Sequence, residues 1–268
     1  MFLTALTITP SGTYRIVIVG AGNVATHLAR HLFSRGHSIV TIYSRTLKHA
    51  EELATLVAAV PTDSLEEVPL QADVYLVALP DGEVGRISAQ LNDRRGIWVH
   101  TAGALPLNIF EPFHDEFGVL YPLQTLSRDR QISLQEVPLL IEGSSPEVAR
   151  VLKTLASSIS GDVHEVDSRA RHLIHLAAVF ANNFSNHMVE IARRILEEEG
   201  ENYHLLLPLL QETCRKLEEM EPASAQTGPA VRGDRETMKK HLELLGGHPE
   251  WQKLYTFISR DITRSRKD

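Results

Sequence analysis

Short apolar runs alternate with amphipathic segments through the first 166 residues of the chain. Apolar runs of this length, rich in β-branched side chains, are typical of strands that are buried on both faces. The predicted strands cover residues 15–19, 38–43, 72–78, 97–100, 118–120, 138–141 and 162–166. Helices are predicted at residues 23–35 and 48–56, and from Pro146 onward with Ser145 as the cap. Strands that alternate with helices in this way form a mostly parallel, doubly wound α/β sheet.

A long helical segment follows the last predicted strand. Residues 167–199 contain neither glycine nor proline, which predicts one helix on the order of 50 Å long. The centre of this helix, residues 176–181, is apolar on every side, so it must be covered by other helices or by a partner subunit. Gly200 ends the helix, and further helices are predicted at residues 203–220, 238–245 and 251–262.

These patterns divide the chain into three parts. Residues 1–13 form a leader, residues 14–166 form the α/β domain, and residues 167–268 form an all-α domain. Because the centre of the long helix needs a cover, we expect the C-terminal helices to form a homodimer.

A glycine-rich turn joins the first strand to the first helix. It reads Gly20-Ala21-Gly22-Asn23-Val24, and Ala25 completes the spacing G-x-G-x-x-A. This pattern between a strand and a helix is the fingerprint of a dinucleotide-binding unit, in which the backbone and the helix N-terminus hold a diphosphate. The alternative is a glycine-rich turn within another α/β fold.

The type of dinucleotide is indicated at the end of the second strand. An acidic residue there would hold the ribose 2′-hydroxyl of NAD, but the chain has Ser44, Arg45 and Thr46. A guanidinium flanked by hydroxyls suits a 2′-phosphate, which predicts NADP as the cofactor. The alternative is a surface arginine that caps the next helix.

Two further loops follow the carboxyl ends of predicted strands, where ligands of such sheets bind. Leu79, Pro80 and Asp81 are predicted to contact the cofactor, with Asp81 also a candidate N-cap. Thr101 and Gly103 are predicted to lie where nicotinamide and substrate meet. A plain loop role is the alternative for both segments.

Candidate catalytic residues lie on the long helix. His175, Asn182 and Asn183 are polar residues in an apolar stretch, and a spacing of seven places His175 and Asn182 on one helix face. His175 is the first candidate for a general acid or base, since histidine titrates near neutral pH. Hydrogen bonds within the helical domain are the alternative role.

A second candidate binding segment joins two predicted helices. Thr227, Gly228 and Arg232 are candidate substrate-binding residues, because Arg232 suits a carboxylate. Alternatively, Asp234 caps the next helix and Arg232 forms a local ion pair.

The composition narrows the classes of function. A net charge of −7 argues against a general nucleic-acid or membrane-surface partner. The glycine-rich turn and Arg45 favour a small-molecule substrate. The single cysteine, Cys214, excludes a disulfide within the chain and a cysteine-based zinc site, and we expect it to be a small packing residue on a helix and not a nucleophile. No metal site is expected. The first residues make a poor secretory signal, so a cytoplasmic location is the default.

The chain resembles a family of Rossmann-like oxidoreductases with an NADP-type first domain and a helical C-terminal domain of uncharacterised function. The first domain carries G-A-G-N-V-A at residues 20–25, S-R-T at 44–46, V-A-L-P-D at 77–81 and V-H-T-A-G-A at 99–104. The hallmarks of the family lie at residues 121–125, 177–183 and 227–234. The resemblance extends to pyrroline-5-carboxylate reductase, ketopantoate reductase, 6-phosphogluconate dehydrogenase and deazaflavin-dependent NADP oxidoreductases. It implies a C-terminal domain similar to that of 6-phosphogluconate dehydrogenase.

The related dehydrogenases place a lysine on the long helix before a paired asparagine, whereas this chain has Val179. That departure argues against oxidation of a 3-hydroxy acid by their acid–base route. We expect an NADP(H)-dependent oxidoreductase that acts on an imino or keto acid or on a deazaflavin. The alternative is a non-catalytic NADP(H)-binding module that regulates a partner. Methyl transfer from S-adenosylmethionine is disfavoured, because it needs an acidic residue after the second strand.

Overall fold

The computed structural model describes residues 12–265, so all but the last two residues of the predicted leader lie outside the described residues. The strands are β1 (Arg15–Val19), β2 (Ser38–Tyr43), β3 (Val60–Thr62), β4 (Gln71–Val77), β5 (Arg95–His100), β6 (Phe117–Pro122), β7 (Leu139–Gly143) and β8 (Val163–Glu165).

The helices alternate with these strands and then continue alone. They are α1 (Asn23–Ser34), α2 (Leu47–Val57), α3 (Asp81–Gln90), α4 (Pro146–Ile159), α5 (Ser168–Ala178), α6 (Ser185–Glu198), α7 (Leu207–Glu219), α8 (Pro222–Ala225), α9 (Pro229–Arg232), α10 (Arg235–Leu244) and α11 (Pro249–Ser265). Two 3₁₀ turns occupy Leu107–Phe110 and Tyr203–Leu206, and a π-helical turn occupies Val179–Phe184.

The strands of the described chain form one eight-stranded sheet in the order β3-β2-β1-β4-β5-β6-β7-β8. Within residues 12–265, β6 and β7 are the one antiparallel pair. The predicted mostly parallel, doubly wound sheet is therefore confirmed. The chain leaves β1 toward β2 on one side and returns to β4 on the other, and such a switch point is where these sheets bind ligands.

Strand β1 lies at the centre of the core and is buried on both faces. Ile16 and Ile18 pack into a core built with α1, α2 and α4, whereas Val17 and Val19 pack into a second core with α3. The continuous apolar run follows from this burial, because neither face of the strand meets water.

Ser145 and Asp81 are the two residues predicted to cap the start of a helix. Ser145 caps α4 as expected, its hydroxyl accepting the Val148 N–H at 3.2 Å. The prediction that Asp81 caps the following helix is wrong, because Asp81 is the first residue of α3 and Pro80 precedes it as N-cap. Asp81 still complements the helix dipole from the first turn.

The chain divides into two compact units, one that ends at Phe180 and one that begins at Ala181. The predicted domain boundary follows β8, whereas the compact division follows α5. The helix predicted over residues 167–199 comprises α5, the π-helical turn and α6. A π turn adds one residue to a helical turn, and hydrophobic periodicity does not reveal it.

The second unit has little interior of its own. Among its described residues, 181–265, Ala230 is the only one that is buried. Cys214 lies on a helix, α7, as expected, but it is exposed, so the expectation that it is a packing residue is wrong for the chain by itself.

Candidate functional site

The predicted binding loops meet at the carboxyl edge of the sheet. The N–H of Gly20 donates to the carbonyl of Tyr43 at 2.8 Å, which joins the ends of β1 and β2. The N–H of Ala78 donates to the carbonyl of Val19 at 2.9 Å, which joins the ends of β1 and β4. One crevice edge therefore gathers segments that lie far apart in the sequence.

The two glycines of the first turn have different roles. Gly20 has a φ of +118°, and a Cβ there would lie 2.3 Å from the carbonyl oxygen of Ala78, so this residue permits the close approach of two loops. A Cβ on Gly22 would point into open space. The surface at Gly22 is thus bare backbone on its exposed side.

The start of α1 suits an anion. In the described chain Gly22 is the N-cap of α1, no side chain caps this helix end, and its first turn holds no acidic residue. The N–H groups and the positive end of the helix dipole therefore face the space beside Gly22. Bare backbone beside an uncapped helix start fits the diphosphate of a dinucleotide.

Arg45 stands directly after β2 and points toward α3. Its side chain is 64% exposed, and its Nη1 atom lies 3.7 Å from Oε2 of Glu83. Thr46, not Arg45, is the N-cap of α2, and within the described residues no side chain caps that helix. The alternative that Arg45 caps the next helix is therefore not what the structure shows. Its guanidinium instead stands at the crevice edge.

A tyrosine–histidine pair stands over the loop that follows β5. The Tyr121 hydroxyl and Nδ1 of His175 are 3.0 Å apart. A Cβ on Gly103 would lie 2.6 Å from Nδ1 of His175 and 3.0 Å from Cζ of Tyr121. The structure thus brings the predicted His175 against the predicted Gly103, with room only for glycine between them.

Tyr121 is a candidate functional residue that sequence reasoning did not assign. It lies on β6, whose neighbour β5 leads into the loop with Gly103. Its signal in the sequence is that it opens the hallmark segment at residues 121–125, although that segment does not show a pairing with a residue 54 positions away. Burial raises the pKa of Tyr121, so its hydroxyl keeps its proton at neutral pH.

His100 shapes the same loop as a neutral residue. It is fully buried, and its Nδ1 atom accepts the Ala102 N–H at 3.2 Å. Burial, together with the smaller effect of the nearby Arg171 guanidinium, lowers the pKa of His100 to about 3. His100 therefore holds the loop and carries no charge at neutral pH.

Arg171 fixes the helix that carries His175. Its side chain is fully buried, its Nη1 atom forms an ion pair with Glu142, and its Nη2 atom donates to the carbonyl of Leu105 at 2.5 Å. The Ser168 hydroxyl donates to the same Glu142 carboxylate at 2.8 Å. His175 lies four residues after Arg171, on the same face of α5, so this anchor sets its position.

The other candidate residues belong to the second unit. Asn182 and Asn183 are exposed in the π-helical turn, and such turns are frequent at functional sites. Thr227, Gly228 and Arg232 lie at and before α9. Asp234 caps α10, accepting the Thr237 N–H at 3.0 Å, as the alternative for this stretch predicts.

Residues 12–265 contain no cluster of three or more His, Cys, Asp or Glu side chains able to hold a metal ion. None of the helices described in this range has the length and apolar character needed to cross a bilayer.

Comparison with known proteins adds to this geometry. Residues 15–99 match the family "NADP oxidoreductase coenzyme F420-dependent", and residues 137–262 match a domain of unknown function (DUF2520). A crystal structure from Bacteroides fragilis, described as a putative NADP oxidoreductase, is 42% identical, with 94% of this chain and 99% of that chain covered and a TM-score of 0.91.

Two more distant similarities extend the comparison. Pyrroline-5-carboxylate reductase from Streptococcus pyogenes shares the fold at 15% identity, with 94% and 99% of the chains covered and a TM-score of 0.64. Glutamyl-tRNA reductase from Halalkalibacterium halodurans is 30% identical over an alignment of 159 positions that covers 53% of this chain. The matched region spans 34% of that enzyme, so this likeness concerns only part of it.

Proposed function

We propose that this chain reduces the C=N or C=O bond of a small imino or keto acid with NADPH. The chain belongs to the family of Rossmann-type NADP oxidoreductases with a helical C-terminal domain. The observation that carries the proposal is the Tyr121–His175 pair at the carboxyl edge of the sheet. The non-catalytic module weighed from the sequence finds no support in the comparisons.

The chain's own residues would hold the cofactor along this edge. Backbone N–H groups at Gly22, Asn23 and Val24 would bind the diphosphate. Ser44, Arg45 and Thr46 would bind the 2′-phosphate. Additional contacts are proposed from Ala21, Leu79, Pro80, Asp81 and Thr101.

When bound at this edge, NADPH would supply the hydride for the carbon of the substrate double bond. The Tyr121 hydroxyl, neutral and half-buried, then donates its proton to the nitrogen or oxygen as that atom gains charge. Nδ1 of His175, 3.0 Å from this hydroxyl, is placed to return a proton to Tyr121. The overall reaction consumes one hydride and one proton and forms an amine or an alcohol.

The residues of the helical unit complete the proposal. We propose that Asn182 and Asn183 bind substrate from the π-helical turn and that Thr227, Gly228 and Arg232 bind its carboxylate. We propose that residues 14–166 bind the cofactor and that residues 167–268 bind the substrate and form the dimer.

The catalytic half of the proposal is tested by NADPH oxidation in the presence of cyclic imines, 2-keto acids or a deazaflavin. Tyr121→Phe and His175→Ala should lower kcat by about 10²-fold or more, as loss of a general acid does, while NADPH affinity stays unchanged. His49→Ala, at an exposed position, is the matched control. A panel without turnover, or an unchanged kcat for Tyr121→Phe, would contradict the assignment. Turnover with the deazaflavin alone would show that the hydride acceptor is a deazaflavin and not an imino or keto acid.

The cofactor half is tested by calorimetry with NADPH and NADH. The wild-type protein should bind NADPH more tightly, and Arg45→Glu should remove that preference because the new carboxylate repels the 2′-phosphate. Equal affinity of the wild-type protein for the two dinucleotides would exclude the 2′-phosphate site.

We further propose that the functional form is a homodimer, joined through the C-terminal helices. Several large apolar side chains of the helical unit are exposed in the chain: Leu205 (68%), Leu209 (64%), Leu244 (83%) and Phe257 (73%). These side chains have little cover within the chain itself, and a second copy of the chain would supply it. A monomer in sedimentation at micromolar concentration would contradict this. We place the enzyme in the cytoplasm, which fractionation of cells would check.

A further inference from the structure

A second arginine, Arg86 on α3, shares a carboxylate partner with Arg45. On α3, the Glu83 carboxylate accepts from Nε of Arg86 at 3.1 Å and also from its Nη2 atom. The same carboxylate oxygen lies 3.7 Å from Nη1 of Arg45. One carboxylate therefore lies between two guanidiniums that come from different elements.

This triad spans the end of the central strand. Arg45 follows β2, whereas Glu83 and Arg86 lie on α3, which follows β4. Strands β2 and β4 flank β1 on opposite sides. The contact between Arg45 and Glu83 thus crosses the end of β1, above the turn with Gly20 and Gly22.

All three side chains are accessible to a ligand. The side-chain exposures are 64% for Arg45, 50% for Arg86 and 28% for Glu83. Two guanidiniums facing one carboxylate leave one positive charge uncompensated within the triad. The hydrogen bond from Arg86, aided by the charge of Arg45, holds the pKa of Glu83 below its usual range, so this carboxylate is ionised at neutral pH.

We infer that Arg86 is a second ligand of the cofactor 2′-phosphate and that Glu83 occupies its place in the free protein. The inference rests on the proposed NADPH site. A phosphate monoester carries about −1.5 to −2 charge near pH 7 and offers three acceptor oxygens. It therefore matches two guanidinium forks better than a single carboxylate does. A bound 2′-phosphate displaces Glu83 from Arg45 and Arg86.

The triad then sets the choice between cofactors. NADPH brings the anion that replaces Glu83, whereas NADH brings only a hydroxyl and leaves the carboxylate between the arginines. Arg86 thus contributes to NADPH binding alone. Glu83 competes with NADPH and repels its 2′-phosphate.

Calorimetry on the full-length protein tests this inference without turnover. The ligands are NADPH, NADH, adenosine 2′,5′-bisphosphate and adenosine 5′-monophosphate. Arg86→Ala should weaken NADPH and the bisphosphate by about tenfold or more, as loss of a charge-assisted contact does, and leave the other two ligands unchanged. Glu83→Gln should tighten NADPH and the bisphosphate several-fold, and Arg86→Lys should restore part of the lost affinity.

The chain offers a matched control pair on α4. Glu147 and Arg150 have the same spacing of three residues, and Oε1 of Glu147 lies 3.5 Å from Nη2 of Arg150. Their side chains are 63% and 64% exposed. Arg150→Ala and Glu147→Gln should leave all four affinities unchanged, which separates a phosphate contact from a general effect of charge.

Several outcomes would overturn the inference. NADPH affinity that stays within about twofold in Arg86→Ala, or an equal loss of NADPH and NADH, removes Arg86 from the phosphate site. Weaker NADPH binding in Glu83→Gln shows that Glu83 positions the arginines and does not compete. If wild-type protein does not prefer NADPH, the proposed function fails as well. If it does, and only Arg45→Glu removes the preference, the inference alone fails.

Discussion

At the scale of single residues, the glycines of the first turn connect sequence to site most directly. The spacing G-x-G-x-x-A predicts both the turn and its ligand, and the structure distinguishes the roles of the two glycines. Gly20 fills a position where a side chain would collide with Ala78. Gly22 faces open space, so the fold itself has no need of glycine there.

This difference predicts opposite results for two substitutions. Gly20→Ala should lower the free energy of unfolding by about 1–3 kcal/mol or more, because the new Cβ meets backbone and φ is positive. Gly22→Val should leave the unfolding free energy nearly unchanged but abolish NADPH binding, since its side chain occupies the diphosphate space. Urea unfolding and calorimetry on both variants check this.

The two variants control for each other. If Gly22→Val still binds NADPH with wild-type affinity, the diphosphate does not lie at residues 20–22. If Gly20→Ala is as stable as the wild type, the close approach to Ala78 does not constrain the loop.

The candidate site shows where sequence reasoning at this scale ends. Gly103 and His175 could be singled out, because one follows a strand and the other is polar in an apolar stretch. Their contact could not, since it joins residues 72 positions apart in the sequence. Tyr121 remained unassigned for the same reason: its partner His175 is defined only by the packing of α5 on the loop after β5.

At the scale of elements, the central strands of the sheet, such as β1, are well predicted because they are buried on both faces. The short strand β3 was not predicted, since three residues around Pro61 carry no periodic signal. The π-helical turn was also missed, because its residues read as a continuation of an apolar helix. Local chemistry likewise misplaced Asp81, whose helix begins one residue earlier than the cap rule suggests.

Acid should destabilise the packing beneath β5 through His114. This ring stacks on Trp98 with centroids 3.9 Å apart, and its Nε2 atom lies 2.8 Å from the Ser88 hydroxyl. Burial lowers the pKa of His114 to about 4, below its ordinary value of 6.5. The unfolded chain therefore binds more protons between these pH values, so stability is complete above about pH 6.5 and falls as the pH drops toward 4.

The magnitude can be measured by urea unfolding at pH 7 and pH 5. Removal of this titration in His114→Asn should reduce the acid-induced loss of stability by about 2 kcal/mol relative to the wild type. His49→Asn, at an exposed site, should keep the wild-type dependence. Identical pH dependence in His114→Asn and the wild type would show that His114 titrates alike in both states.

At the scale of the whole molecule, the two units differ in how they are stabilised. The first unit, through Phe180, contains two apolar cores around one sheet. In the described part of the second unit, residues 181–265, only Ala230 is buried. The sequence indicates this need for a cover through the apolar centre of the long helix, but it does not reveal how much of the unit lacks an interior.

If a second copy supplies the cover, stability depends on protein concentration. The midpoint of thermal unfolding should rise as the protein is concentrated from about 0.1 to 10 μM, because association stabilises the folded chain by mass action. Leu209→Glu should lower the midpoint and shift sedimentation toward the monomer. Glu212→Gln, an exposed position on the same helix, should do neither. A midpoint independent of concentration in the wild-type protein would contradict the dimer.

The scarcity of buried residues in the described part of the helical unit also constrains how the protein reaches its native state. The sheet can collapse within one chain, since its cores draw on residues of that chain alone. If the proposed homodimer forms, the helices acquire an interior only when two chains associate, and this final stage of refolding is then second order. In dilute solution the rate of the slowest refolding phase would then depend on protein concentration. Newly synthesised chains would expose the leucines of the helical unit until they associate.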